Sequence, residues 1–485
     1  MKSIKKFLTV FFFGLCTPAM LFAQQEAGIK IVRGASDTVY SSKITIVGVA
    51  APQSIITVNG TSVKQYKTGS FGTEVSLNEG LNTIEIKALS PSGEYTKSIK
   101  TFYKSGFQPA KPALNSYYPG RVLVTKQGAF LNYGAGKDRL GGAKINFLDE
   151  GIRMAVIDSV ENLYKVRLSE SRYAYIPKEY ATFTQFGTTP PKSLTGSWSV
   201  SPVGKVDVVR IGLEERLPYI VREELEPSRI VLDIFGAECN TNWITQYTNL
   251  SAIEYVDLNQ VDGDILRVVI KLKDKYSWGY KVAYSGNSLT VSVKKSPVPE
   301  LKNLVIGLDA GHGGSASGAV SPSGLIEKEL NLSMVYILKE ELEKRGAKVV
   351  LSRSEDKDVS MAERKEIFEK ENIDLLISVH CNAGGNPLNP LGTSTYYKHI
   401  EYRDLAETIL KRLLEMDINS FGLVGNFNFS MNAPTNYPSV LVETMFLSSL
   451  PDEEKMADPE FRRDLMKRVV KGLEDYLAKV KKSIK

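Results

Sequence analysis

Leu304-Val305-Ile306-Gly307-Leu308-Asp309-Ala310-Gly311-His312-Gly313-Gly314 decides the fold of the C-terminal third of this chain. Its apolar half reads as a buried strand, and a histidine follows in a glycine-rich turn. Leu375-Leu376-Ile377-Ser378-Val379-His380 ends the same way. The 485-residue chain has three histidines, so two of them closing apolar runs is a pattern. Helical signals alternate with such runs. Glu329 to Gly346 carries Leu330, Met334, Leu338 and Leu342 on one stripe and stops at glycine. Ser360-Met361-Ala362-Glu363 is a capping box. Val349 to Leu351, Leu375 to Val379 and Val440 to Val442 read as strands, and Arg403 to Met416 and Phe461 to Tyr476 as helices. The alternation predicts an α/β domain over 301–482, with a mostly parallel sheet covered on both faces.

Open α/β sheets collect ligands beyond the carboxyl ends of their strands. His312, His380 and Glu443 fall at such ends, and Glu327 lies in a loop just before the first helix. Two imidazoles and a carboxylate with one open position are a catalytic zinc set, and a further carboxylate can act as general base. Spacing leaves Glu327 and Glu329 equal, and leaves Glu443 a metal-site role or a buried ion pair. Cys381 follows His380, but neighbouring side chains of a strand face opposite ways, which predicts a small buried thiol. His399 has no ligand partner at a recognisable spacing and is expected at the surface.

Upstream, the chain is all β. Residues 28–105 alternate in short strands, and Asn59-Gly60 supplies a type I′ hairpin turn; an immunoglobulin-like sandwich is expected. Residues 117–185, with Tyr164-Lys165-Val166-Arg167-Leu168 and Ala174-Tyr175-Ile176-Pro177, resemble a bacterial SH3-type barrel. Residues 195–296 hold Arg229-Ile230-Val231-Leu232-Asp233 followed by Gly236-Ala237, and this unit is similar to the AMIN domain of envelope proteins. Proline-bearing stretches at 108–112, 189–192 and 296–299 read as stiff, exposed spacers between folded units.

The N-terminus reads as a secretory signal peptide, 1–23. Lys2, Lys5 and Lys6 precede an apolar stretch from Phe7 to Leu15, and Leu21-Phe22-Ala23 offers a cleavage point. Without those three lysines the formal charge falls from +6 to +3, a mild excess that argues neither for nucleic acid nor for an acidic surface, and no nucleic-acid partner is expected. No apolar run is long enough for a transmembrane segment. Cys239 and Cys381, in different units, are expected to stay unpaired.

Residues 303–480 resemble the catalytic domain of zinc-dependent N-acetylmuramoyl-L-alanine amidases. The matching strings are Asp309 to Gly314, Gly324 to Leu332, Leu351-Ser352-Arg353, Ser378 to Ala383, and Pro438 to Ser448. The resemblance implies that His312, Glu327 and His380 bind Zn2+ and that Glu443 is catalytic. It implies hydrolysis, in peptidoglycan, of the amide between N-acetylmuramic acid and the L-alanine of the stem peptide. An exported protein of the periplasm or cell envelope follows, with peptidoglycan as partner and an envelope protein as a possible second partner of the β modules. The family usually carries an acid where this chain has Ala316, which opens the alternative of a weak or inactive peptidoglycan-binding scaffold. A cysteine-dependent wall peptidase using Cys381 is the other alternative. The stretch between His380 and Glu443 leaves little room for the inhibitory helix that some members insert there.

Overall fold

The computed structural model describes residues 28–34, 38–105, 116–136 and 142–484. The signal peptide expected at 1–23 and the proline stretch at 108–112 lie outside the described residues. Among the described residues no helix is long and apolar enough to cross a membrane. The chain divides into two compact units, 1–39 with 43–103, and 40–42 with 104–485.

In the first unit a three-stranded and a five-stranded sheet enclose a core that includes Ile46, Phe71, Ile56, Ile84 and Ile86. The strands Ile55–Val58 and Thr61–Val63 meet at Asn59 and Gly60, whose φ values of 47° and 79° are those of the type I′ turn.

The second unit begins with a seven-stranded antiparallel sheet spanning 116–183. Two packed sheets follow over 193–294, in which Val206–Leu213 and Ile265–Leu272 alternate buried and less buried positions. One core runs through both modules, joining Leu123, Met154 and Ile176 to Trp198, Leu232 and Val268. The prolines at 189–192 and 296–299 do not separate bodies, as their composition had suggested. Trp278 enters the core of the C-terminal domain, and Tyr280 N donates to Thr435 O at 2.8 Å. Lys294 Nζ reaches Ile373 O at 2.7 Å and the Asp374 carboxylate at 3.0 Å. Apolar surface on these modules found a better partner than water, and the turns follow that packing.

The C-terminal domain has six strands, β1 (Val305–Ala310), β2 (Lys348–Leu351), β3 (Leu375–Asn382), β4 (Thr393–Tyr396), β5 (Ser420–Val424) and β6 (Ser439–Phe446), in the order β2-β1-β3-β6-β4-β5. β2, β1, β3 and β6 are mutually parallel, β4 runs antiparallel to β6, and β5 pairs parallel to β4. Five helices accompany them: α1 (Glu327–Glu343), α2 (Met361–Lys370), α3 (Arg403–Leu413), α4 (Leu450–Ala457) and α5 (Pro459–Ser483). Leu330, Met334, Leu338 and Leu342 of α1 join Leu405 and Ile409 of α3 and Val469, Leu473 and Tyr476 of α5 in one core. Phe368 of α2 packs with Ile373, Leu376, Met431 and Tyr437 in another. The capping box forms at α2: Glu363 N donates to Ser360 Oγ at 3.2 Å, and Ser360 N to Glu363 Oε2 at 2.7 Å. Between His380 and Glu443 the helices are α3 and short 3-10 turns, and α3 packs on α5.

Candidate functional site

β1 delivers the chain to Gly311 and His312 above the carboxyl edge of the sheet. His312 adopts φ 61°, a left-handed conformation that a side chain holds only when its surroundings insist. Two arginines supply the insistence, each 2% exposed. Arg364 donates to His312 O and Ala310 O, both at 2.7 Å, and to Asp309 Oδ1 at 2.6 Å. Arg353 donates to Ala310 O at 3.0 Å, Gly311 O at 3.1 Å and Lys328 O at 2.7 Å. Burial raises the Asp309 carboxyl, but the charges of Arg364 and His380 and bonds from Ser352 and Arg364 outweigh it and hold the carboxyl below its ordinary range.

Glu327 opens α1, where the helix dipole favours an anion. Its Oε2 accepts from Ala319 N at 2.7 Å, and its Oε1 accepts from Cys381 N at 3.0 Å and from Asn331 Nδ2 at 3.3 Å. The same Oε1 lies 3.0 Å from His380 Nδ1 and 3.3 Å from His312 Nε2. Burial would raise this carboxyl; the bonds from His312 and His380, with their charge, win and hold it well below the usual range. Glu329 is exposed, so Glu327 alone of the two faces the histidines. Two glycines make the crowding feasible. A Cβ at Gly311 would lie 2.3 Å from the His380 ring, and one at Gly318 would lie 2.4 Å from Glu327 Oε2.

His380 stands in register with Glu443 across the parallel pair β3/β6, which turns both side chains to one face. Glu443 is 6% exposed. The ligand atoms of His312, Glu327 and His380 lie within 4.8 Å of one another and could hold a metal ion. Two convergent ring nitrogens and a carboxylate, with Glu443 beside His380 on the neighbouring strand, fit a metal bound by three side chains with a position left for water or substrate. A wall of aromatics flanks this point. Phe429 lies parallel to the His380 ring within 8°, at 6.4 Å between centroids, and Tyr396 meets Phe429 edge-on at 5.2 Å.

Cys381 is buried, with Sγ 3.4 Å from Thr444 Oγ1 and 3.6 Å from Asn331 Oδ1. Burial, then the charge of Glu327, pushes its thiol well above the ordinary range, so it is a poor nucleophile. Cys239 and Cys381 are both free. The turn at Ala316 closes through its own backbone, Gly313 N to Ala316 O at 2.9 Å and Ala316 N to Gly313 O at 3.1 Å. Carboxylates reach the turn from outside: Asp356 accepts from Gly314 N at 2.7 Å and Asp358 from Ser315 N at 2.9 Å. His399 corrects the expectation of a surface residue. It is half-buried, its Nε2 is 2.9 Å from Ala433 O, and burial pushes it down to about 4.

Arg353, Arg364, Asp309 and Asn331 had no expected role. One signal was available: Asp309 is a charged residue inside an apolar run, and such a residue needs a buried cation.

Residues 306–475 match the family described as N-acetylmuramoyl-L-alanine amidase, and residues 200–293 match the AMIN domain. The uncharacterized protein YqiI of Bacillus subtilis is 30% identical over 199 residues, 40% of this chain and 95% of that protein. N-acetylmuramoyl-L-alanine amidase LytC of Bacillus subtilis is 34% identical over 200 residues, 39% of this chain and 39% of that protein. N-acetylmuramoyl-L-alanine amidase AmiC of Neisseria meningitidis serogroup B is 28% identical over 218 residues, 36% of this chain and 52% of that protein. The chain thus spans about half or less of the length of these two named amidases. Through its C-terminal domain, with an AMIN domain ahead of it, the chain belongs to the N-acetylmuramoyl-L-alanine amidase family.

Proposed function

We propose that this protein is an exported, zinc-dependent peptidoglycan hydrolase. It cleaves the amide between N-acetylmuramic acid and the L-alanine of the stem peptide. The observation that carries the reading is the convergence of His312, Glu327 and His380 beside Glu443 at one end of the sheet. His312, Glu327 and His380 hold the ion. When bound, zinc supplies a Lewis acid and a water acidified to a pKa near 7. Glu443 takes a proton from the attacking water on its carboxylate and passes it to the leaving alanine nitrogen. Glu327, satisfied by Ala319 N, Cys381 N and Asn331, stays ionised and keeps both imidazoles turned to the same point.

The signal peptide, 1–23, sends the enzyme to the periplasm or envelope. Units 28–105 (immunoglobulin-like), 117–185 (SH3-type) and 195–296 (AMIN-like) bring the catalytic domain, 301–482, to the wall or to an envelope protein. The two-sheet core of the first unit and the antiparallel seven-stranded sheet of the second support those assignments.

The test is digestion of purified peptidoglycan, with mass spectrometry of the products, with zinc, with a chelator, and with Glu443→Ala. Free stem peptides beginning at L-alanine, lost under both treatments, are expected. Intact wall that co-sediments with the protein would instead support a scaffold, and chelator-insensitive cleavage within the peptide would point to Cys381.

A further inference from the structure

The loop Gly425-Asn426-Phe427-Asn428-Phe429, between β5 and β6, alternates amides with aromatics, and the two sets reach opposite neighbours. Phe427 and Phe429 pack with ring centroids 4.6 Å apart and planes tilted by 53°, and close on Tyr396 at 5.0 and 5.2 Å, with Phe429 alongside His380. Asn428 turns toward the 116–183 module, and Asn426 toward Lys398. Lys144 N donates to Asn428 Oδ1 at 2.9 Å, and Asn428 Nδ2 donates to Gly142 O at 2.7 Å. A side-chain amide is thereby paired with a backbone from a segment nearly three hundred residues earlier. Lys398, 7% exposed, ties the junction from below. Its three donors go to Lys144 O at 2.6 Å, Asn426 Oδ1 at 2.8 Å and Asn428 Oδ1 at 3.3 Å. Gly142 is itself seated, since a Cβ there would lie 2.4 Å from Gly134 O.

We propose that Asn428 is a positioning residue of the metal site: the Gly142–Lys144 segment clasps its amide and so holds Phe429 against the His380 imidazole. A module outside the catalytic domain then sets one wall of the site and limits rotation of a metal ligand. This rests on the zinc amidase reading above. Partners that orient a ligating imidazole tune metal affinity, and their loss costs about 10–100-fold.

The experiment uses the full chain, stripped of metal, in a zinc competition with a chromogenic chelator, alongside hydrogen exchange of residues 427–432. Asn428→Ala is expected to weaken zinc about tenfold and to speed exchange in the loop, with the far-UV spectrum unchanged. Phe429→Ala should weaken zinc similarly, and the double variant should be no worse than Phe429→Ala alone, because one residue acts through the other. Asn428→Asp keeps the acceptor for Lys144 N and Lys398 and loses the donor to Gly142 O, so an intermediate loss is expected; it also serves if Asn428→Ala does not fold. Wild-type zinc affinity and exchange in Asn428→Ala, or additive losses in the double variant, overturn the proposal. Exchange needs neither metal nor turnover. A chain that binds zinc with this coupling yet leaves the wall amide intact would therefore count against the amidase reading alone.

Discussion

Two loops flank the candidate metal site, and they are held by opposite means. The His312 loop is gripped from inside its own domain, by Arg353 and Arg364, 2% exposed and bonded to the carbonyls of Ala310, Gly311 and His312. The Phe429 loop is gripped from outside it, by backbone of the 116–183 module. Buried guanidinium–carbonyl bonds exclude water and persist through local fluctuation. Amide–backbone bonds at a junction between modules are each worth less and break when the junction opens. One wall of the site is therefore built in, and the other depends on how the modules sit.

Arg364→Ala should produce the largest change. It strands the Asp309 carboxylate and takes from His312 O its Arg364 donor, a loss of about 3–5 kcal/mol typical of a broken buried ion pair. Urea denaturation should show it as a lower midpoint, and an unchanged midpoint would mean the His312 loop is not held from within. Glu443→Gln comes next. Removing the general base should cut hydrolysis of a soluble muropeptide about 10²–10⁴-fold while zinc affinity stays near wild type; retained turnover would reassign the base.

The junction with the AMIN domain should respond to pH. Glu223 and Glu401, each 6% exposed, meet there among Tyr280, Tyr402 and Tyr476. Burial raises both carboxyls, Glu401 to about 7 and Glu223 well above its ordinary range. Folded-state values above unfolded ones mean stability fully present below about 4.5 and lost as pH rises through about 7. Thermal unfolding followed from pH 4.5 to 8 should show a falling Tm, and Glu223→Gln should flatten it. A pH-independent Tm would remove the buried pair from the account. Cys381→Ser should do least: Asn331 and Thr444 already offer partners for a hydroxyl, so hydrolysis should stay near wild type. A large loss of turnover would revive a catalytic thiol.

Much of this was legible in the chain. Strand ends at His312 and His380, the stripe of α1 and the capping box of α2 are local signals, read from side-chain periodicity a few residues wide. Strands β4 and β5 and helix α4 were not read. β4 is a four-residue run, Thr393-Ser394-Thr395-Tyr396, wholly buried despite its hydroxyls. Two of its hydroxyls are matched by distant atoms, Ala406 O for Thr395 Oγ1 at 2.9 Å and Glu443 O for Thr393 Oγ1 at 3.1 Å. Composition alone cannot announce such partners.

By itself the sequence determined which residues could do chemistry: two scarce histidines and a glutamate at the ends of apolar runs, where any α/β sheet opens to solvent. Tertiary structure decided the rest. Spacing left Glu327 and Glu329 equal, the family resemblance named Glu327, and the packing of the α1 N-terminus turned it to the histidines. His399, expected at the surface, was half-buried by the segment around Ala433. The grip of Gly142 and Lys144 on Asn428 appears in no local pattern. The reason is one of range. Periodicity records how a side chain meets its own helix or strand, whereas which surfaces then meet depends on area buried and bonds satisfied across the whole chain.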